Sequence, residues 1–244
     1  MNILLFHSDE LQNSNQLQLE GRRAKHLIEV LKVQPGQTIR VGLLDGALGD
    51  GTVIELQGSS VRIQVQLYAT APIAAPLQIL LALPRPKVLR RTLKTLTELG
   101  VKKIVLLNAA KVEKYYWQAT QLTSPYIQRS LILGLEQSID TVLPEVQTEK
   151  LFRPFVEDRL KSWMGTSSAW VAHPTGEQKL FNGDLPLRSS CTLAIGPEGG
   201  WVDFEIELLK AQGFKVGHFG SRILTVETAI AAMIGQALGS IYGK

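Results

Sequence analysis

Up to about residue 68 the apolar positions recur every second residue, the period of a strand with one buried face. In SVRIQVQL, Val61, Ile63, Val65 and Leu67 fall on one side, and Arg62, Gln64 and Gln66 on the other. QLQLE and TIRVGLL alternate in the same way, while Asp45-Gly46 and Asp50-Gly51 supply turn chemistry between strands. The pattern predicts a small antiparallel β-domain over residues 1–71. One segment breaks it: GRRAKHLIEVLK sets Leu27, Val30 and Leu31 at helical spacing, with Arg22, Arg23 and Lys25 at its start, and so predicts a short helix with a basic end. Residues 69–76, ATAPIAAP, have no period and several small or proline breaks, which marks them as a linker.

Beyond the linker, apolar runs alternate with helical periods, the signature of a parallel sheet with helices on its faces, and predict an α/β domain over 72–244. LQILLAL is the first strand of this half. Pro86 and Lys87 open a helix in which Leu89, Leu93, Leu96 and Leu99 share a face, while Lys87, Arg90, Arg91 and Lys94 lie toward solvent. Gly100 closes it and KKIVLL follows as a strand. Ser124-Pro125 carries the cap and first-position signature of a helix continuing through Ile127, Leu131 and Leu135 to Gln137. Pro154 opens a further helix to Met164. AWVA and CTLAI read as strands, residues 203–212 as a helix closed by Gly213, KVGHF as a short strand, and 226–238 as the last helix.

A chain of 244 residues, 45% hydrophobic, has material for two buried cores. Its net charge of +4 favours polyanionic over acidic partners. The single cysteine, Cys191, has no partner for an internal disulfide and sits in an apolar run, which predicts a buried thiol in a reducing, cytoplasmic setting. No apolar run approaches the roughly 20 residues that cross a bilayer, and MNILLFHSDE carries acids where a signal peptide carries bases, so no membrane or export role is expected. His7, His26, His173 and His218 are scattered without metal-ligand spacing and are read as structural, with no metal site expected.

Two glycine-bearing segments carry the candidate chemistry, because each follows a strand and precedes a helix. They are IGPEGGWVD, residues 195–203, and FGSRILTVETA, residues 219–229. In an α/β sheet, ligands gather outside the carboxyl ends of strands, and glycines there let a ligand approach the backbone. Gly196, Gly199 and Gly200 give that access and Pro197 stiffens the loop. Neither segment has the GxGxxG or GxxxxGK[ST] pattern of a phosphate loop.

GPEGGWVDFEIELLKAQGF followed by HFGSRILTVETAIAA resembles the carboxyl-terminal signature of the RsmE-type 16S ribosomal RNA uridine-N3 methyltransferases, a branch of the SPOUT superfamily. LALPRPKVLRRTLKTLTELGVKKIVLLN and LGLEQSIDTVLPEV resemble the family's first strand-helix-strand unit and its Glu-Gln-Ser helix, and RRAKHLIEVLKVQPGQTIRVGLLDG its amino-terminal PUA-like barrel. The likeness covers nearly the whole chain. It implies a trefoil-knotted α/β domain behind an RNA-binding barrel, a homodimer, S-adenosyl-L-methionine (SAM) as methyl donor, and 16S ribosomal RNA or the small ribosomal subunit as partner. It places the SAM pocket at Gly196, Glu198, Gly199, Gly200, Phe219, Gly220, Ser221, Ile223, Leu224 and Thr228, with Leu83 beside it.

Chemistry accounts for these residue types: adenine fits an apolar slot, and a sulfonium is steadied by carbonyls or a carboxylate. Arg222 is the candidate for stabilising charge on the uracil, and Glu198 the candidate for accepting its proton or orienting the loop. Arg22, Arg23 and Lys25 form a candidate phosphate rail. Trp201 reads as a stacking surface, whereas Tyr115, Tyr116 and Trp117 read as packing, and Arg85 and Arg129 as solvated charges.

The chain departs from the family at three points. Thr225 stands where arginine is frequent, Ile139-Asp140 replaces a common Gly-Arg, and NAAKVEKYYW replaces a Glu-Arg-Ser loop. The alternatives are an RNA-binding protein on the same fold without catalysis, and a SPOUT methyltransferase of another RNA base.

Overall fold

The structure is a computed structural model that describes residues 2–12, 15–181 and 190–242. The chain divides into two compact units, Met1–Ile73 with Ile132–Leu143, and Ala74–Leu131 with Pro144–Lys244. Residues 132–143 fall inside the span read as the second domain and pack with the first unit.

In the first unit, β1 (Leu4–Phe6), β2 (Gln16–Leu19), β3 (Thr38–Leu43), β4 (Leu48–Gln57) and β5 (Ser60–Ala69) form one curled sheet of order β1-β3-β4-β5-β2. Its inner face carries Phe6, Leu17, Leu19, Val41, Val53, Val61 and Ile63, all buried, which is the alternating set of the sequence. The sheet is not antiparallel throughout, because β1 pairs parallel with β3, Leu4 opposite Val41. No hairpin can join them: β2 and a helix intervene, so the chain returns in its original direction.

Asp45, at φ +56°, makes the β3–β4 turn with Gly46, but Asp50-Gly51 lies inside β4 and the β4–β5 turn falls at Gly58, at φ +59°. Crowding explains the glycines within β4. A Cβ on Gly51 would sit 2.6 Å from side-chain atoms of both Ile63 and Val41, and one on Gly49 would sit 1.9 Å from the Gln66 carbonyl.

The basic helix α1 (Gly21–Lys25) runs into a π turn, His26–Val30. There the Leu31 amide reaches back to the His26 carbonyl at 3.0 Å, one residue further than in an α-helix. The wider turn rotates the last positions outward. Leu27 is buried as predicted, but Val30 is 64% exposed.

The second unit is built on β6 (Leu77–Ala82), β7 (Lys103–Leu107), β8 (Glu145–Glu149), β9 (Ser168–Ala172), β10 (Gln178–Lys179), β11 (Cys191–Ile195) and β12 (Lys215–His218). All are parallel, in the order β10-β12-β9-β11-β6-β7-β8. The apolar strands β6, β7, β9 and β11 occupy the middle, as strands covered on both faces must. β8 and β10 have no apolar run to announce them, since each lies at a sheet edge.

The helices are α2 (Pro86–Glu98), α3 (Ser124–Ser138), α4 (Phe152–Pro154), α5 (Leu160–Met164), α6 (Asp203–Ala211) and α7 (Val226–Tyr242). α2 buries Leu89, Leu93 and Leu96 as its pattern predicts. A π turn, Phe155–Arg159, joins α4 to α5, so the helix expected from Pro154 is not a regular one. β11 inserts between β9 and β6, which brings the carboxyl ends of strands distant in sequence side by side. That interruption of strand order is where an open parallel sheet makes its crevice.

Candidate functional site

The segment after β11 and the segment between β12 and α7 face one cavity of about 600 Å³, within the roughly 300–1,000 Å³ of small-molecule sites. Of the residues expected at the SAM pocket, Gly196, Glu198, Gly199, Gly200, Phe219, Gly220, Ile223 and Leu224 line it, as does Arg222. Ser221 and Thr228 do not, and Leu83 lies buried with its amide bonded to the Leu107 carbonyl at 2.9 Å. The end of β9 adds His173 and Pro174, the loop after β7 adds Lys111, and α7 adds Val226, Ala229 and Met233.

The glycines do separate work here. Gly200 at φ +72° and Gly220 at φ +106° hold backbone that other residues rarely adopt, with open space where a Cβ would be. Gly199 is crowded instead: a Cβ would lie 2.9 Å from Lys111 Cδ, and Lys111 Nζ donates to the Gly199 carbonyl at 2.8 Å. A lysine of the third loop thus holds the glycine loop in place.

Glu198 Oε1 accepts the Arg85 amide at 3.1 Å, and the Arg85 guanidinium lies 3.8 Å from the same oxygen. Arg85, read from sequence as a solvated charge, therefore belongs to the cavity wall. Arg222 is exposed to the cavity and pairs with no carboxylate among the described residues.

His173 Nδ1 accepts the Thr175 amide at 3.3 Å and meets the Thr175 hydroxyl at 2.8 Å, so the neutral ring carries its proton on Nε2. Burial pushes its pKa down, against an opposing pull from Asp203. The imidazole is consequently neutral near pH 7 and adds no charge to the cavity.

Trp201 corrects an expectation. It is 3% exposed and packs against Gly196, where a Cβ would lie 3.1 Å from the indole nitrogen, so it is a wall of the cavity and not an open stacking surface. The buried Trp201 Nε1 has no hydrogen-bond partner among the described residues.

Thr225 has a structural task that arginine could not perform. Its carbonyl accepts the Ala229 amide at 2.8 Å, and its hydroxyl lies 3.0 Å from Thr228 Oγ1 and 3.4 Å from the Thr228 amide. It caps α7, as a threonine does well.

In the first unit, Arg22 pairs at 2.9 Å with the buried carboxylate of Glu136, and Arg23 pairs with Glu10 and donates to the Leu5 carbonyl at 3.0 Å. Lys25 stays exposed, 3.8 Å from Glu29. Two members of the basic cluster thus also anchor their own unit.

Residues 71–238 match the model of a family described as RNA methyltransferase domain. The chain belongs to this RNA methyltransferase family. Ribosomal RNA small subunit methyltransferase E of Treponema pallidum is 27% identical, over 99% of this chain and 92% of that protein. The protein of the same name from Synechocystis is 28% identical, over 86% and 69%. Among solved structures, a ribosomal RNA small subunit methyltransferase E from Neisseria gonorrhoeae bound to SAM superposes with a TM-score of 0.73 at 24% identity, over 98% of this chain and 97% of that one. The chain thus shares the fold of that structure, here a parallel α/β sheet preceded in the chain by a curled β-sheet unit. No helix among the described residues is long and apolar enough to cross a membrane.

Proposed function

We propose that this RNA methyltransferase transfers a methyl group from SAM to N3 of one uridine in 16S ribosomal RNA. The observation that carries the reading is the convergence of the 196–200 and 219–224 segments on one cavity. Phe219, Ile223 and Leu224 supply an apolar slot for adenine, while Gly200 and Gly220 leave open space beside the backbone. Glu198 is the single carboxylate of the lining among the described residues and is suited to a sulfonium nearby. When bound, SAM supplies an electrophilic methyl on a positively charged sulfur.

Uridine N3 carries a proton at neutral pH and lies on the Watson-Crick edge, so the base must leave its pairing before reaction. As that proton departs, charge gathers on the flanking carbonyl oxygens, and in this reading the guanidinium of Arg222, which lines the cavity, donates to them. Glu198 keeps its second carboxylate oxygen without a hydrogen-bond partner among the described residues, where it can receive a proton or hold one in transit. Arg85 fixes the orientation of that carboxylate through its amide.

Residues 1–71 form the RNA-binding domain in this reading and 72–244 the methyltransferase domain, with Arg22, Arg23 and Lys25 toward the phosphates. The enzyme works as a homodimer in the cytoplasm, a state carried by family resemblance. Because N3 methylation blocks Watson-Crick pairing, reverse transcription of 16S ribosomal RNA should stop at one uridine in wild-type cells and read through it in a deletion strain. Read-through in both strains would overturn the substrate.

A further inference from the structure

A second cavity, of about 500 Å³, lies in the same unit on the other side of the glycine-loop wall. The two share that wall residue by residue: Lys111 and Trp201 face the first, while Ala110 and Val202 face the second. Phe152 lines the second and packs at 6.0 Å, tilted, against Trp201 of the first. The wall is fixed from inside by Glu205, 2% exposed, whose two carboxylate oxygens accept the Ala110 amide at 2.7 Å and the Val202 amide at 3.0 Å.

The remaining lining joins two kinds of group. Trp117 and Phe204 are aromatic, and Phe204 is 53% exposed, an unusual position for so large an apolar ring. The Trp117 indole is oriented by donating to Asn108 Oδ1 at 2.8 Å. Around them stand the exposed cations Lys114, Lys150 and Arg153. Arg153 meets Glu157 at 2.8 Å, whereas Lys114 and Lys150 have no carboxylate partner among the described residues. Aromatic faces beside unpaired cations form the surface that takes stacked bases and their phosphates. The segment carrying Lys114 and Trp117 is the one in which this chain departs from the family's Glu-Arg-Ser loop.

We infer that this second cavity is a subsite for single-stranded RNA next to the target uridine: a neighbouring base stacks on Phe204 and Trp117 while its phosphates meet Lys114 and Lys150. The inference rests on the proposed methyltransferase reading. A strand whose target base enters the first cavity has its neighbours at the shared wall. The subsite would hold the strand unpaired there, which N3 chemistry requires.

The test uses the full-length protein, a fluorescein-labelled 12-nucleotide oligouridine, and fluorescence anisotropy over a salt series. Lys114→Glu/Lys150→Glu should weaken binding at least tenfold and flatten the slope of log K against log salt by about 1.4, the value for two single-strand phosphate contacts. Phe204→Ala, a change at an exposed position, should weaken binding about fivefold or more. Neither variant should alter the affinity for SAM, measured by calorimetry. RNA binding within twofold of wild type in both variants overturns the subsite. So does a charge-reversal variant that turns a dimer into a monomer in sedimentation while still binding the oligonucleotide, because the surface would then be a subunit interface. Failure of the wild-type protein to bind SAM would instead defeat the reading beneath, and is scored separately.

Discussion

Arg222 is the proposed charge stabiliser, because it lines the cavity and pairs with no carboxylate among the described residues. Replacing it by alanine should lower kcat about 100-fold or more, the usual loss of one well-placed charge stabiliser, and leave the SAM dissociation constant within about threefold. Single-turnover methylation beside calorimetry separates the two, and an unchanged rate constant would remove Arg222 from the mechanism.

Cys191 gives a second expectation at this scale. Burial in β11 pushes its thiol up to about 11, so Ellman's reagent at pH 8 should leave the native protein unmodified and react once it is denatured. Rapid reaction of the native protein would contradict the packing. The glycines stand out by their place between a strand and a helix, and Glu198 and Arg222 by the family resemblance and the chemistry it implies. His173, Lys111 and Arg85 did not stand out because their segments carry no glycine pattern, although His173 directly follows a strand, a position that is itself a signal.

Among elements, α7 depends on its cap. Thr225→Ala should cost about 1 kcal/mol in urea denaturation by removing the hydroxyl from the Thr228 amide, whereas Thr225→Ser should restore most of it. In the barrel unit, Arg22→Ala leaves the carboxylate of Glu136, 3% exposed, without its partner, and should destabilise by about 1–3 kcal/mol. Lys25→Ala, at an exposed site, should change stability little, so comparing the two variants separates anchoring from any RNA contact. Helices α2 and α6 were legible because their apolar faces and terminal glycines agree. The π turns after α1 and α4 were not, since apolar spacing does not report which carbonyl an amide will choose.

At the scale of the molecule, the division into a period-two half and an α/β half was visible in hydrophobic spacing. The insertion of β11 between β9 and β6 was not, because strand order depends on contacts that no local pattern encodes. The family signature implied a knotted α/β domain but no strand order, and it covers the loops that the insertion brings together. The place of residues 132–143 in the first unit was equally hidden: Leu135 reads as one more apolar helix position, and only the fold packs it against Ile3 and Leu5.

A crystal structure of the full-length protein with SAM tests the central claim most directly. The account predicts density for the adenosyl group between residues 196–200 and 219–224, with its adenine against Phe219, Ile223 and Leu224. Density for SAM at any other place, with this cavity filled by solvent alone, would contradict it.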